Sequence, residues 1–114
     1  NNGAFFNNHR IRVSSKNNIN DCLFATNITS KLDLDFTNRK TGCAALDMAY
    51  VASGRFDGYF QENLNLWDIA AGIILIKEAG GIINDIDLNS NKNIKVIASN
   101  PNISAKFQEK LSNF

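Results

Sequence analysis

Apolar residues in this chain come in short clusters set between polar, asparagine-rich stretches, and the period of each cluster predicts its element. Ala4-Phe5-Phe6 and Arg10-Ile11-Arg12-Val13 flank Asn7-Asn8 and read as the two short strands of a hairpin. Cys22-Leu23-Phe24-Ala25-Thr26 has turn residues on both sides and reads as a buried strand. From Asn27 to Thr41 the chain is polar and aperiodic apart from the alternation Leu32, Leu34, Phe36, which predicts a loop carrying one short strand. Gly42 then leads into a run rich in small residues, Cys43 to Ala52, a helix that stops at Ser53-Gly54. Phe56, Tyr59 and Phe60 mark a strand around Asp57-Gly58.

The stretch from Leu64 to Gly81 is the centre of the pattern. Ile69 to Ile76 is apolar on nearly every side, which predicts a helix covered all round. Asp68 stands at its mouth, where an aspartate can serve as N-cap and its charge suits the positive end of the peptide dipoles. Gly80-Gly81 can take the left-handed geometry that ends a helix. Ile82-Ile83 and Val96-Ile97-Ala98 read as two further strands around the polar residues 85–93. Pro101 suits a first helical turn, and Ile103, Phe107 and Leu111 give a last helix, residues 102–113, one apolar stripe to lay on the sheet. Strands alternating with helices in this way predict an α/β fold, layered α-β-α, with helices on the faces of a largely buried sheet.

At 114 residues the chain has the length of one small domain, enough for one core or part of a larger one. Its apolar fraction of 44% and net charge of +1 are ordinary, and with no basic block they offer no face for nucleic acid. The longest apolar run is far short of the roughly 20 residues that cross a bilayer, and the first residues show no signal-peptide pattern, so no membrane partner and a cytoplasmic location are expected. Cys22, Cys43 and the single His9 make no zinc motif. The two cysteines are expected as thiols, with a disulfide as the alternative. The scattered asparagines are turn chemistry.

Trp67-Asp68-Ile69-Ala70-Ala71-Gly72, followed at fixed spacing by Glu78-Ala79-Gly80-Gly81, resembles the C-terminal signature of the inositol monophosphatase family. Gly3-Ala4-Phe5 with Arg10 to Ser14 resembles that family's mid-chain hairpin. Gly42 to Leu46 and Val51 to Tyr59 resemble the segment before the signature, and Ala98-Ser99-Asn100-Pro101 resembles its last strand and turn. The resemblance implies the sugar/inositol phosphatase fold. Residues 1–16 would be the end of a preceding α+β domain, its hairpin, and residues 17–114 the C-terminal α/β domain. The family's upstream metal motif, Asp-Pro-x-Asp-Gly, is absent here, so the chain is expected to be a C-terminal fragment, inactive alone. A preceding N-terminal domain would supply further metal ligands. The family's helical insertion between the first strand and Gly42 is also short in this chain, which affects part of the subunit interface of the homodimer that the resemblance implies.

For function the resemblance implies magnesium-dependent (Mg2+) hydrolysis of a small polyol phosphate monoester, such as inositol monophosphate, without a covalent intermediate. Asp68 would be the catalytic residue and metal ligand, and also touch substrate. From residue chemistry alone a helix cap is the leading reading of Asp68, ahead of a chemical role, and a single carboxylate cannot make a magnesium site without other oxygens. Gly42, Cys43 and Ala44 would contact substrate, with Cys43 where the family carries Ser or Thr. On residue chemistry this is a helix start whose N–H groups can bind oxygen, or one that serves only tight packing. A nucleophilic Cys43 lacks a nearby histidine base. Gln61 falls where many members carry a substrate-binding Glu; it keeps an acceptor oxygen, gains two donors and loses the charge, or is simply a surface residue. Glu62 would point to the opposite face of the strand. Arg39 and Lys40 could attract a phosphorylated ligand or be merely solvated. Two rival readings stay open: a related phosphatase acting on fructose bisphosphate, histidinol phosphate or a nucleotide 3'-phosphate, and a non-catalytic binding module.

Overall fold

A computed structural model of the chain describes residues 3–26, 37–39 (backbone only) and 42–111. The chain opens as the expected hairpin. β1 (Ala4–Phe6) and β2 (His9–Ile11) run antiparallel with Phe6 opposite His9. Asn7 and Asn8 turn the chain at φ 50° and 65°. A two-residue turn with both central residues left-handed matches the strands' own twist, and asparagine tolerates that region better than most side chains. The hairpin is a sheet of its own. Its buried Ala4, with Ile11 and the following Val13, packs on the main core. Val13 N–H donates to Ala79 O at 3.1 Å.

The second sheet contains β3 (Leu23–Ala25), β4 (Thr37–Arg39), β5 (Gly58–Leu64), β6 (Ile82–Ile83) and β7 (Ile94–Ser99) in the order β4-β3-β5-β7-β6. β3 is parallel to both β4 and β5, and β7 is antiparallel to β5 and β6. α1 (Ala44–Ala52) carries the chain from β4 across β3 to β5, and α2 (Leu66–Glu78) carries it from β5 across β7 to β6. Both helices lie on one face, where Met48, Val51, Ile69 and Ile76 meet Tyr59, Val96 and Ala98. α3 (Ser104–Lys110) covers the other face. There Ile103, Phe107 and Leu111 meet Cys22, Phe24 and Phe60, and the rings of Phe24 and Phe107 stack at 4.4 Å. The architecture is thus α-β-α, and the apolar stripe at intervals of four lies on the sheet as expected. The helix itself is shorter than residues 102–113: Pro101 to Ile103 form a turn, since Asn100 Oδ1 holds Ile103 N–H at 3.1 Å. Leu32, Leu34, Phe36 and Lys40 lie outside the described residues.

α2 departs from expectation in two ways. Its N-cap is Asn65, so Asp68 is the third residue of the first turn and not the cap. It is also not covered all round: Ile69, Gly72, Ile73 and Ile76 are buried, but Ile74 is 65% exposed and Ala70 and Ala71 are open. The described residues cover only the side of α2 that faces α1 and the sheet. Its carboxyl end matches the expected stop. Gly80, at φ 91°, donates to Lys77 O at 3.1 Å, and Gly81 N–H donates to Ile76 O at 2.9 Å. That paired closure satisfies two carbonyls of the last turn.

The two helices touch where α2 has no side chain. A Cβ on Gly72 would lie 2.7 Å from Met48 Sδ and 2.9 Å from Met48 Cβ. The second contact is with an atom fixed to the α1 backbone, so repacking of a flexible side chain cannot relieve it. Between the hairpin, α1 and α2 runs an open apolar groove of about 480 Å³, lined by Phe5, Phe6, Leu46, Tyr50 and Leu75 among others.

β5 carries an irregularity that sets up everything downstream. Gln61 pairs with Val96 but Leu64 with Ile94, so residues 62 and 63 face Lys95 alone, and Asn63 stands at φ 60°. In a regular strand Leu64 would share a face with Phe60. The extra residue reverses the alternation. Leu64 therefore turns to the side of Tyr59 and joins the core under α1 and α2.

Gly72→Val should lower stability by about 1–3 kcal/mol through overpacking against α1. Thermal denaturation followed by circular dichroism measures this, and an unchanged midpoint would show that the helices can separate freely.

Candidate functional site

Asp68 sits on the first turn of α2 beside Trp67, which is 92% exposed. Its N–H donates to Asn65 O at 3.0 Å. Its carboxylate is solvent-exposed and makes no hydrogen bond or ion pair among the described residues. A carboxylate that caps its own helix would be engaged by backbone N–H groups, so this one is left to bind elsewhere. Among the described residues no three His, Cys, Asp or Glu side chains cluster closely enough to hold an ion. Asp68 thus fits a hard divalent cation as one oxygen ligand in a shell that other groups must complete.

Gly42 and Cys43 lead into α1, with Gly42 at φ 82° and Cys43 as N-cap. Cys43 is exposed and makes no side-chain capping bond. The first intrahelical bond is from Asp47 N–H to Cys43 O at 2.9 Å. The N–H groups of Ala44, Ala45 and Leu46 therefore precede the ladder and have no partner within the helix. Gln61 lies on β5, on the same face of the sheet as Tyr59, and Tyr59 Oη donates a hydrogen bond to Gln61 Oε1. Burial, and then the Asp47 carboxyl and the Cys43 thiol that face it, push the Tyr59 hydroxyl far above its usual range. It stays protonated across the physiological span. Tyr59 thus places the start of α1 and Gln61 in one neighbourhood. Glu62, on the other side of the strand, is half-buried, and Arg39 lies on the backbone of β4.

Sequence reasoning passed over two residues. One is Tyr59 itself, whose polar end is hidden in an aromatic run. The other is Asp57, only 1% exposed, whose carboxylate accepts from Ser14 Oγ at 2.5 Å, Leu23 N–H at 2.7 Å and Lys16 Nζ at 3.2 Å. Asn100 Nδ2 extends the network to Ser14 Oγ at 2.8 Å. The available signal was a charge between Phe56 and Tyr59, in a segment otherwise destined for the core. Asp57 ties these segments of the scaffold together and is closed off from solvent.

Comparison with known proteins matches the model of the inositol monophosphatase family over residues 1–113. The chain belongs to the inositol monophosphatase family. A relative named putative Nus factor SuhB from Neisseria meningitidis is 38% identical over 127 aligned positions, covering 96% of this chain and 49% of its own length. The inositol-1-monophosphatase of Mesorhizobium japonicum is 38% identical over 75% of this chain and 38% of its own length. Among solved structures, the extragenic suppressor protein SuhB of Bartonella henselae superposes with a TM-score of 0.79 at 38% identity, covering 96% of this chain and 50% of its own. The Thermotoga maritima IMPase gives 0.78 at 32% identity, with 97% and 48% covered. The chain spans about half the length of the curated relatives it matches. Members of this family are generally metal-dependent, in keeping with an unengaged acidic oxygen at Asp68. No helix among the described residues is long and apolar enough to cross a membrane.

Both cysteines are thiols. Burial, then the negative charge of Asp57, push the Cys22 thiol up from its usual range to about 11, a rise that Lys16 partly offsets. A thiolate is scarce at Cys22 below that pH, whereas Cys43 is open to solvent. At pH 8 a disulfide reagent such as DTNB should therefore titrate one thiol per native chain, and the second only after unfolding. Two fast equivalents would contradict the burial of Cys22.

Proposed function

We propose that this chain is the C-terminal α/β part of a magnesium-dependent phosphatase that hydrolyses a small polyol phosphate monoester, inositol monophosphate being the substrate the family name favours. The carrying observation is the Asp68 carboxylate, exposed and unengaged among the described residues at the start of α2, within the family's Trp-Asp signature. Bound magnesium would supply positive charge to the phosphoryl oxygens as hydrolysis proceeds. Asp68 would hold that ion by one oxygen, and the positive end of α2 beside it adds to the local preference for anions. The N–H groups at the start of α1, next to Gly42, Cys43 and Ala44, would donate to substrate oxygens, and Gln61 would bind the polyol from β5.

The remaining metal oxygens would come from a segment equivalent to the half of its relatives that this chain does not cover. In this reading residues 1–16 close that preceding domain and residues 17–114 form the C-terminal one. The apolar groove at Phe5, Phe6, Leu46, Tyr50 and Leu75, together with the open side of α2 at Ile74, supports such a neighbour. With no membrane-crossing helix among the described residues, a cytoplasmic site of action fits this chemistry. The relatives named Nus factor SuhB favour a second reading, a Nus-factor role for this chain.

A hybrid tests the first reading: these 114 residues in place of the matching half of the Thermotoga maritima IMPase. It should release phosphate from inositol monophosphate only with magnesium, while the chain alone shows little turnover. Asp68→Asn should then cost more than about 100-fold, beyond the roughly 10–100-fold typical of an outer-shell partner. Unchanged turnover at limiting magnesium would remove Asp68 from the metal shell. A hybrid that cleaves no phosphate ester yet replaces a SuhB relative in its Nus-factor role would select the second reading.

A further inference from the structure

The Tyr59 hydroxyl fixes which end of the Gln61 amide is engaged within the protein. Tyr59 is fully buried and stays protonated, so its O–H must donate, and Gln61 Oε1 is the acceptor it reaches. The Asp47 carboxyl and the Cys43 thiol face the same phenol, whose hydroxyl donates to Gln61 Oε1. Once Oε1 is engaged, the amide nitrogen points away from Tyr59. Among the described residues Gln61 Nε2 has no hydrogen-bond partner, and the residue is only half-buried. The outward group is thus a neutral double donor. An acidic side chain here would present an acceptor carrying negative charge.

We propose that Tyr59 is a positioning residue that turns the Gln61 amide nitrogen toward the ligand, so that the proposed substrate site takes phosphate esters bearing a second anionic oxygen, from a carboxylate or a further phosphate. The proposal rests on the phosphatase reading for its substrate but not for its geometry. A donor pairs with such an oxygen, whereas a carboxylate at position 61 would repel it across a short distance. Polyol hydroxyls can still accept from the same amide, so the effect is a widened preference toward anionic esters.

Two experiments separate the geometry from the chemistry. Gln61 and Gln108 are the only glutamines in the chain, so glutamine labelled with carbon-13 and nitrogen-15 gives two side-chain amides to compare by NMR. In Tyr59→Phe the Gln61 carbonyl carbon should shift and that of Gln108 should not. A shift confined to the Gln61 amide nitrogen and its protons would mean the reverse orientation and overturn the proposal. In the hybrid enzyme, glycerol 2-phosphate, 2-phosphoglycerate and glycerol 1,2-bisphosphate differ only in the group beside the scissile ester. Gln61→Glu should lower kcat/KM for both anionic esters relative to glycerol 2-phosphate by about tenfold or more, mainly through KM. Tyr59→Phe should move that ratio in the same direction. A fall for 2-phosphoglycerate alone names the carboxylate as the favoured group, and a fall for the bisphosphate alone names the second phosphate. Ratios unchanged in both variants would refute the selectivity. Loss of turnover on all three esters in the unsubstituted hybrid would sink the phosphatase reading, and the selectivity with it, while the NMR result still decides the orientation.

Discussion

A buried carboxylate at the head of β5 ties together three parts of the chain distant in sequence. Asp57 takes hydrogen bonds from Ser14, from the Leu23 backbone and from Lys16, and its own carbonyl accepts from Asn100 N–H at 3.2 Å. Hydrogen bonds to a charged group contribute about 1.5–3 kcal/mol each where they are shielded from water. Lys16 is half exposed and adds less, so the neutral donors carry most of the stabilisation. Placing a charge in the core is costly unless every lone pair is used, which makes this corner intolerant of partial change. The link from the hairpin, the start of β3 and the turn before α3 all converge here.

Because β5 is anchored at that end, its side chains are delivered to fixed places along its length. Tyr59 goes under α1 and α2, Phe60 under α3, and Gln61 returns to the side of Tyr59 near the start of α1. The next four residues lead into α2 and bring Asp68 to its first turn. The close contact of α1 and α2 at Gly72 then keeps the two helix starts in a constant relation. Candidate groups far apart in sequence thus depend on one strand and one helix pair.

Much of the layered fold was legible because its signals are local. The hairpin rests on Asn7-Asn8, the last helix on the spacing of Ile103, Phe107 and Leu111, and the end of α2 on Gly80-Gly81. Less legible was what depends on partners remote in sequence. Nothing near Asp68 says that Asn65 starts the helix, since both are good caps and tertiary fit decides between them. The apolar girth of α2 suggested full burial, but Ile74 faces outward, so periodicity alone does not say which sides find a neighbour. Of the candidate site, the chemistry of Asp68, Gly42, Cys43, Ala44 and Gln61 was readable as residue types. The hydrogen bond that orients Gln61 was not, because a tyrosine two positions away on a strand reads as core.

The doubled residue on β5 makes the strand a device with a phase. Single-residue swaps at Glu62 or Asn63 change a side chain and leave that phase alone. Deleting either would remove the doubling and leave Leu64 two places after Gln61, still opposite Ile94 and on the side of Tyr59. The core contact of Leu64 thus survives the loss of the extra residue, and what the doubling contributes is a local bend and added twist where the strand runs on into α2.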